Sequence, residues 1–524
     1  MAQLGSRRAT ATAPRGPRSL SAAGSRPRRL LAASLALTAA TSLAVLPHVS
    51  AAAAEATPRT AATEGAGVLS YVVNVSPKSS QAVQRAITEA GGTVVIAYDQ
   101  IGVIVAHSAE PRFAERIRAV RGVQSAGATR TAPLAPSATA NVGETQPLAP
   151  AAAARSAAAA KPGQEPLEPN QWDMRLIGAD RAHAIDDGSR RVTVGVIDTG
   201  VDDTHPDIAP NFSAAQSANC VGGKPDSSPG AWRPYTPEAA HGTHVAGTIA
   251  AARNGVGVAG VAPGVKLAAI KVSDPKTDLF YTESVVCGFV WAAEHGIDIT
   301  NNSYYSDPWY FNCLSDADQR ALVEATNRAI RYARGKGVVN VASAHNTNTD
   351  LAADEVVDPS SPDDSTPAER RVDPAECPIA PEMLPGVVTV SSVGVTLKKA
   401  SYSNYGHGVI DVSAPGGDAR QLPDTPDANG RVLSTLPGGG HGYMQGTSMA
   451  APHVSGVAAL LKSRHPGASP ARIESLLRHQ ADEQVCPETY DGNNDGVVDA
   501  VCEGPKQRNG FYGHGVVNAL DAVR

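Results

Sequence analysis

One serine of this chain stands where its hydroxyl could act as a nucleophile. The stretch 443–456 reads YMQGTSMAAPHVSG, in which Ser448 follows a glycine and a threonine and precedes an alanine-rich run. An ordinary interpretation is a helix cap, since serine is a preferred N-cap and Pro452 suits an early helical turn. The alternative is a nucleophile, because the free N–H groups of a helix N-terminus favour an anion. These residues alone favour the cap.

Two further side chains with acid–base chemistry lie at the ends of predicted elements. RVTVGVIDTG (191–200) is a continuous apolar strand in which Asp198 stands at the end, and a helix begins near His241 in HGTHVAG. Asn346 follows another predicted strand, VVNVASA. Ligands of open α/β sheets bind outside the carboxyl ends of the strands, so we expect these groups at one edge. A carboxylate, an imidazole and a hydroxyl together can carry out acyl transfer.

The order of these residues and the blocks around them resemble one enzyme family. The chain order Asp, His, Ser is that of the subtilisins. The blocks IDTGVDDTHPDI (197–208), HGTHVAGTIAA (241–251) and GTSMAAPHVSG (446–456) are similar to the active-site blocks of the subtilisin-like serine proteases. SYSNYG, VSAPGG and GHGVVNALDAV resemble further parts of that family, so the resemblance covers most of residues 166–524. With three blocks present, the nucleophile interpretation of Ser448 outweighs the cap.

The resemblance implies a role for each of these side chains. Ser448 would attack the scissile carbonyl, His241 would take its proton and pass it to the leaving amine, and Asp198 would orient the imidazole. Asn346 matches the asparagine that donates to the oxyanion, beside the backbone N–H of the serine. The implied function is that of a serine endopeptidase that forms an acyl-enzyme intermediate and uses no organic cofactor.

Two departures from the family pattern bear on specificity. NNSYYSD (301–307) places Ser303 and Tyr305 on the edge that the resemblance assigns to an extended peptide substrate, where the family usually has Ser-Leu-Gly. Tyr305 would either narrow the primary pocket or supply an aromatic wall. His345 precedes Asn346 where the family usually has glycine, and a positive φ would be harder for histidine. A non-catalytic peptide-binding scaffold is therefore the alternative function, and a processing enzyme for one partner is a third.

The segment from about Gln171 onward predicts a doubly wound α/β fold. Apolar strands such as VKLAAIKVS and IDITNNS alternate with helix patterns such as TESVVCGFVWAAEHG and QRALVEATNRAIRYARGKG. This alternation is typical of a parallel sheet. Ahead of it, residues 66–130 predict the order β-α-β-β-α-β of a small ferredoxin-like unit. That unit resembles the inhibitory pro-domain of the family; the alternative is a binding domain that stays attached.

The N-terminus has the features of an export signal. Residues 1–29 are rich in arginine and contain no acidic residue, residues 30–45 are apolar, and SAAAAEA then offers cleavage sites. We therefore predict a signal peptide at 1–55 and a secreted enzyme without stable membrane association; an unusually placed anchor is the alternative. Residues 131–165 are rich in Ala, Pro, Ser and Thr, which predicts a flexible linker in which self-cleavage would remove the pro-domain.

The overall composition narrows the range of partners. The chain has 524 residues, more than one ordinary domain, and we assign 166–524 to the peptidase domain. Lys and Arg number 45 and Asp and Glu 51, a formal net charge of −6, which gives no indication of nucleic-acid binding. We expect polypeptide substrates, the chain's own pro-domain as an inhibitor, and a monomer.

The six cysteines predict three disulfide bonds. An even number of cysteines in an exported protein favours disulfides, and a zinc site is disfavoured because no C-x-x-C pair is present. Cys486 and Cys502 would close a short local loop. Cys313–Cys377 and Cys220–Cys287 then follow by elimination.

Two stretches carry the oxygen ligands that calcium prefers. Positions 1, 3, 5 and 9 of an EF-hand-like loop are occupied by Asp491, Asn493, Asp495 and Asp499. Cys502 stands at the position of the bidentate glutamate, so a polar turn closed by a disulfide is the alternative. Asp207 and Asn254 match side-chain ligands of a calcium site in the family that the chain resembles. From these two stretches we predict that the protein binds structural calcium.

Overall fold

A computed structural model describes most of the chain. The described residues are 67–131, 133, 144–493 and 495–524. The signal peptide predicted at 1–55 lies outside them. Within the described part of the chain, no helix combines the length and the apolar character that crossing a bilayer requires.

The first described unit is a four-stranded antiparallel sheet with two helices. Its elements are β1 (Leu69–Val75), α1 (Ser80–Glu89), β2 (Gly92–Tyr98), β3 (Val103–Ser108), α2 (Phe113–Arg118) and β4 (Val123–Ala128). The strand order is β2-β3-β1-β4. Val83 and Ile87, four residues apart on one face of α1, are fully buried in a small core with Phe113. The element order is the one that the sequence pattern of this unit suggests.

The segment expected to be a flexible linker, 131–165, is partly regular, which corrects that expectation. It contains β5 (Gln146–Pro147) and α3 (Pro150–Ala159). Helix α3 begins with proline at its first turn and is otherwise almost all alanine, the residue with the highest helix propensity. Ala152 and Ser156, one turn apart, are buried against the body of the protein. Alanine-rich composition therefore indicates a docked helix here rather than a flexible chain.

The remainder of the chain alternates strands with helices. The strands are β6 (Thr193–Asp198), β7 (Ala218–Asn219), β8 (Lys266–Lys271), β9 (Ile299–Asn302), β10 (Val339–Ser343), β11 (Val356–Asp358), β12 (Arg370–Val372), β13 (Val387–Val393), β14 (Val412–Pro415), β15 (Val432–Leu436) and β16 (Gly440–Met444). The helices are α4 (Trp172–Leu176), α5 (Ala179–Ala182), α6 (His241–Ala250), α7 (Thr282–Glu294), α8 (Ala317–Gly335), α9 (Thr447–Arg464), α10 (Pro470–His479) and α11 (Ala519–Ala522).

Seven strands form the central parallel sheet, in the order β14-β13-β10-β9-β6-β8-β7. Strand β6 is entirely buried because both of its faces are covered. Val194 and Val196 point to the core that contains α6 and α9, and Ile197 points to the core that contains α7 and α8. The doubly wound α/β fold predicted from the alternating pattern is confirmed. Separately, β5 adds to β15 and β16 as a small antiparallel sheet.

The three predicted disulfide pairings are confirmed. Cys220–Cys287 ties the chain after β7 to α7, Cys313–Cys377 ties the chain before α8 to the chain before β13, and Cys486–Cys502 closes a loop after α10. No cysteine remains free. All three bonds lie within the α/β part of the chain.

Candidate active site

The sheet topology creates one crevice at the ends of two neighbouring strands. From β6 the chain adds β7 and β8 on one side and β9, β10, β13 and β14 on the other. The strand order therefore reverses between β6 and β9, and ligands of such sheets bind outside the carboxyl ends at this point. Asp198 is the last residue of β6, and Ser303 directly follows β9.

A buried acid–imidazole pair lies at this crevice. Nδ1 of His241, the first residue of α6, is 2.8 Å from Oδ1 of Asp198, and both side chains are buried. The Thr199 amide also donates to Oδ1, over 2.7 Å. A Cβ at Gly242 would lie 2.3 Å from the Gly200 carbonyl oxygen, so only glycine lets α6 begin this close to the strand. The pair leaves Nε2 as the imidazole nitrogen free to exchange a proton.

The hydroxyl of Ser448 lies at the start of α9, on the same side of the sheet as α6. Ser448 is the second residue of the helix and is partly exposed. Its Oγ donates to the carbonyl oxygen of Ser303 over 3.1 Å. Donation to His241 therefore requires the hydroxyl to turn away from Ser303. Catalytic hydrogen bonds are often loose before substrate binds, so this geometry is compatible with a nucleophile–base pair.

Asn346 faces the start of α9 with a fixed orientation. Its Oδ1 accepts hydrogen bonds from the amide of Thr447 at 2.9 Å and from the hydroxyl of Thr447 at 3.0 Å. These two donors identify the oxygen, so Nδ2 is the end of the side chain left to donate. Gly446 allows this approach, because a Cβ there would lie 3.3 Å from Nδ2, and its φ of 152° is one that glycine adopts readily. Asn346 is exposed to solvent.

The predicted substrate edge, Ser303 and Tyr305, lies directly against the nucleophile helix. The hydroxyl of Ser303 donates to the carbonyl oxygen of Ser448 over 2.9 Å. Two residues along, the hydroxyl of Tyr305 donates to Oδ2 of Asp363 over 2.7 Å. The Tyr305 ring packs edge-on against Tyr310, with centroids 5.0 Å apart. Ser303 thus holds the edge to the helix, and Tyr305 belongs to an aromatic cluster beside it.

Two titratable side chains of this cluster form a pair that no sequence pattern indicates. Nε2 of His345 lies 3.1 Å from Oε1 of Glu382, and the Glu382 side chain is fully buried. The φ of His345 is +72°, a left-handed conformation that is costly for a residue other than glycine. The only sequence signal for Glu382 is an isolated acid in the apolar run APEMLPGVVTV. Its partner stands 37 positions earlier, so no local pattern joins the two.

The second histidine of HGTHVAG has a different environment from His241. His244 is fully buried, and its Nε2 lies 3.2 Å from the carbonyl oxygens of Val432 and Gly442. Burial, with a smaller contribution from the nearby His241, lowers the pKa of His244 to about 3. The imidazole of His244 is therefore neutral at ordinary pH, and within this motif only His241 lies where it can cycle a proton.

The predicted calcium ligands Asp207 and Asn254 do not fit a cation site. Oδ2 of Asp207 accepts from Nε2 of His441 at 2.8 Å and from the Val258 amide at 3.0 Å. Asn254 directs its Nδ2, a donor, to Oδ1 of Asp207 at 3.2 Å. Burial alone raises the pKa of Asp207, but the bonds from His441 and Val258 bring it below its usual range. Donors surround this carboxylate where calcium needs open oxygens.

The EF-hand-like residues also fail to converge. Asp491 accepts from the amides of Asp495 and Gly496, and Asp499 accepts from the amide of Gly492 at 2.7 Å. Asn493 Oδ1 likewise faces the Asp495 amide, at 2.9 Å. Across the described ranges, no three His, Cys, Asp or Glu side chains come together as a metal-binding group. The geometry is that of the polar turn, and Cys486–Cys502 closes the surrounding loop.

Comparison with known protein families and sequences places the chain close to one group of enzymes. The subtilase family model matches residues 189–515. Subtilisin E of Bacillus subtilis is 31% identical over 353 residues, which cover 67% of this chain and 71% of that protein. Fervidolysin of Fervidobacterium pennivorans is 30% identical over 373 residues, which cover 66% of this chain. The chain spans less than half, 45%, of fervidolysin.

Solved structures share the fold. The crystal structure of an epidermin leader peptide processing serine protease from Staphylococcus aureus matches with a TM-score of 0.62 at 22% identity, covering 87% of this chain and 98% of that one. The structure of fervidolysin matches with a TM-score of 0.58 at 24% identity, covering 88% of this chain and 62% of that one. At these identities the likeness concerns the fold alone.

Proposed function

Because the chain belongs to the subtilase family and is a serine-type endopeptidase, we propose that Asp198, His241 and Ser448 are its catalytic triad. The observation that carries this proposal is the buried contact of 2.8 Å between Asp198 and His241. This contact lies where the strand order of the sheet reverses. Ser448 stands at the N-terminus of α9, on the same side of the sheet as His241. The family's chain order of acid, imidazole and hydroxyl supports the same assignment.

In the first step, Ser448 attacks the carbonyl carbon of a bound peptide. Its Oγ forms the new C–O bond while its proton passes to Nε2 of His241. The imidazole then carries a positive charge, and the buried carboxylate of Asp198 stabilises that charge from the Nδ1 side. The electron pair of the carbonyl double bond moves to oxygen and makes a tetrahedral oxyanion.

We assign two donors to this oxyanion. Nδ2 of Asn346 is free because Thr447 occupies the other end of the amide, and the backbone N–H of Ser448 stands at the start of α9. Collapse of the intermediate breaks the C–N bond, and His241 returns its proton to the leaving amine. Water then attacks the acyl-enzyme by the reverse sequence, which releases the acid product and restores Ser448.

We further propose that polypeptide substrates bind as an added strand along Ser303–Tyr305. This segment continues from the parallel strand β9, and an extended peptide can pair with such an edge through main-chain hydrogen bonds. The contact between Ser303 and Ser448 brings that edge next to the nucleophile. The same edge on a disabled enzyme would make a peptide-binding scaffold, the alternative function, which the experiment below tests.

The N-terminal unit 67–131 is proposed to be an inhibitory pro-domain of an exported enzyme. Its interface with the α/β part includes a buried ion pair of 2.7 Å between Arg130 and Glu283. Tyr98 also donates to the carbonyl oxygen of Gly223 over 2.7 Å. The three disulfides suit an oxidising compartment, which supports secretion. The mature enzyme is proposed to act as a monomer.

An active-site-directed fluorophosphonate tests the triad. We expect covalent labelling of matured wild-type protein and none of Ser448→Ala, because only an activated serine reacts. Ser469→Ala is the matched control, since Ser469 also stands at a helix start but caps it through the Arg472 amide. A folded, matured wild type that stays unlabelled would favour the scaffold, and equal labelling of Ser448→Ala would remove that serine as nucleophile.

A further inference from the structure

Three aromatic rings and one buried acid form a closed cluster beside the proposed nucleophile. The ring of His345 packs edge-on against Tyr305, with centroids 5.2 Å apart, and against Tyr310, at 5.8 Å. Only 8% of the surface of His345 and 5% of that of Tyr310 are exposed. Below them, Nε2 of His345 lies 3.1 Å from the fully buried Glu382. Neither Glu382 oxygen has a hydrogen-bond donor in suitable geometry among the described residues.

The position of this cluster follows from the reaction geometry. The residue whose carbonyl is attacked must bring its carbonyl carbon to the hydroxyl of Ser448 and its oxygen to Nδ2 of Asn346. Its α-carbon is one bond from that carbonyl. Its side chain therefore starts between the segment 303–305, which contacts Ser448, and the segment 345–346. Tyr305 belongs to the first of these segments and His345 to the second, and their rings are in contact with each other.

The contact between the two rings narrows the space open to a substrate side chain. Edge-to-face aromatic pairs at centroid distances of 4.5–7 Å are in direct contact. A third side chain can enter only if a ring moves. At this position, glycine adds no side chain and alanine adds one methyl group, whereas phenylalanine or leucine would displace a ring.

Several contacts hold the rings in place. The hydroxyl of Tyr305 donates to Asp363 over 2.7 Å, and that of Tyr310 accepts from Nδ2 of Asn404 over 2.7 Å. His345 is held between the Tyr305 ring and Glu382, and its backbone has the strained φ of +72°. The cluster continues into a buried core that contains the Cys313–Cys377 disulfide. Moving a ring would break a hydrogen bond or separate Glu382 from the imidazole of His345.

We propose that Tyr305 and His345 close the pocket for the residue preceding the scissile bond, so that the enzyme cleaves after glycine and alanine. The inference rests on the proposed function, because it takes Ser448 as the nucleophile. It names the substrate class of that site: extended peptides with a small residue before the cut. Of the two roles suggested by the sequence, Tyr305 then has the first: it narrows the primary pocket and does not serve as an aromatic wall for a larger side chain.

A series of tetrapeptide p-nitroanilides that differ only in the last residue tests the pocket. We expect kcat/KM after alanine or glycine to exceed that after phenylalanine, leucine or arginine by at least 10²-fold, since rejection requires a ring to move. Comparable rates after phenylalanine or leucine would overturn the proposal. Fastest cleavage after arginine would also overturn it, and would show that the rings part to let a cation reach Glu382.

Two variants assign the effect to the rings. Tyr305→Gly should raise kcat/KM after phenylalanine relative to alanine by at least tenfold, and His345→Gly should shift the ratio in the same direction. Tyr235→Gly is the control, because Tyr235 is 42% exposed and lies outside the cluster. An unchanged ratio in both ring variants would overturn the assignment. If neither variant matures, the wild-type series alone decides.

Fluorophosphonate titration of each sample tests the triad and the closed pocket separately. A labelled wild type that cleaves well after phenylalanine overturns the closed pocket and leaves the triad in place. An unlabelled, folded and matured wild type overturns the triad, and the pocket proposal falls with it. Rates are expressed per labelled site, so partial maturation does not alter the comparison.

Discussion

At the scale of single residues, Asn346 shows how the chain commits a side chain to one orientation. The amide and the hydroxyl of Thr447 both donate to its Oδ1, at 2.9 and 3.0 Å, so the nitrogen end is turned to the opposite side. An amide side chain without such partners could turn either end to a substrate oxygen, and one of the two would repel it. Thr447 is therefore a positioning residue for the proposed oxyanion donor.

Replacing Asn346 tests this arrangement. Asn346→Ala should lower kcat by about 10²–10³-fold, the size known for removal of such a donor in subtilisin, a relative of this protein, with little change in KM. Thr447→Val keeps the backbone N–H and removes one of the two donors to Oδ1, so a smaller loss is expected. Steady-state kinetics per labelled site measure both. A kcat of Asn346→Ala equal to that of the wild type would contradict the role of Asn346 as an oxyanion donor.

A buried lysine offers a test of pH dependence. Lys399 is 1% exposed, and its Nζ donates to Oδ1 of Asn348 over 2.6 Å and lies near the rings of Tyr405, Tyr490 and Phe511. Burial lowers the pKa of Lys399 to about 7, against partial compensation by acidic neighbours. The unfolded chain holds this proton up to about pH 10.4, so between these values the unfolded state binds more protons.

The sign of the effect follows from that difference. The free energy of unfolding should rise with pH from about 7 toward 9.5 through this group, because a lysine with a depressed pKa destabilises the fold most at low pH. Lys399→Met has no such group, so its stability relative to the wild type should fall across the same interval. Urea unfolding at several pH values measures the difference in free energy of unfolding between the variant and the wild type. A difference that does not change with pH would show that the pKa of Lys399 is not lowered.

At the scale of elements, side chains from other parts of the chain hold the loop after α6. His441 in β16 donates to the buried carboxylate of Asp207, which also accepts from the Val258 amide. Glu165 adds a second clamp by accepting from the amides of Gly255 and Val256. These contacts join four separate segments of the chain through donors that belong to the protein.

Chelation is the corresponding measurement. A chelator should leave the melting temperature of the matured enzyme unchanged, because neither Asp207 nor the loop 491–499 presents a set of open oxygens. His441→Ala should lower the free energy of unfolding by about 1–3 kcal/mol, since it leaves a buried acceptor without its donor. His465→Ala, at an exposed position, serves as the control. A lower melting temperature with chelator would restore the calcium hypothesis.

The elements also show why sequence patterns succeed at some points and fail at others. The blocks around Asp198, His241 and Ser448 are contiguous and sit at strand and helix ends, so local sequence indicates their place. The acid of Glu382 meets His345 only through the tertiary packing of the chain before β13 against the chain after β10, which no local sequence pattern reveals. The composition of α3 predicts a linker, because the stability of this helix depends on burial of one alanine-rich face, which composition does not reveal.

At the scale of the whole molecule, the N-terminal unit packs apolar side chains against the α/β part and adds a few buried polar contacts. Arg130 and Glu283 form an ion pair with 8% and 0% of their side chains exposed, and the Arg130 guanidinium lies 3.9 Å from the Tyr281 ring centroid. Asn74 donates to the carbonyl oxygen of Ala321 in α8 over 2.9 Å. Removing one partner of such a buried ion pair is costly, because the other charge stays buried without compensation.

Arg130 therefore gives the sharpest test of inhibition by this unit. A separately produced segment 56–130, added to matured 166–524, should abolish peptidase activity. Arg130→Ala should raise its inhibition constant by about 10²–10³-fold, because removing one partner of a buried pair costs about 3–5 kcal/mol. Arg121→Ala, at an exposed position of the same unit, should change it little. Unchanged activity at excess wild-type segment would remove the pro-domain hypothesis.

The disulfide pattern decides how this unit could leave. Every cysteine lies between 220 and 502, so no covalent bridge reaches the unit 67–131. Before the connecting chain is cut, the covalent connection makes binding of the inhibitor to the enzyme intramolecular, which raises its effective concentration. After the cut, the same contacts become an ordinary two-body equilibrium. Dilution alone, without a reductant, would then favour the free enzyme, so secretion into a large volume would itself switch it on.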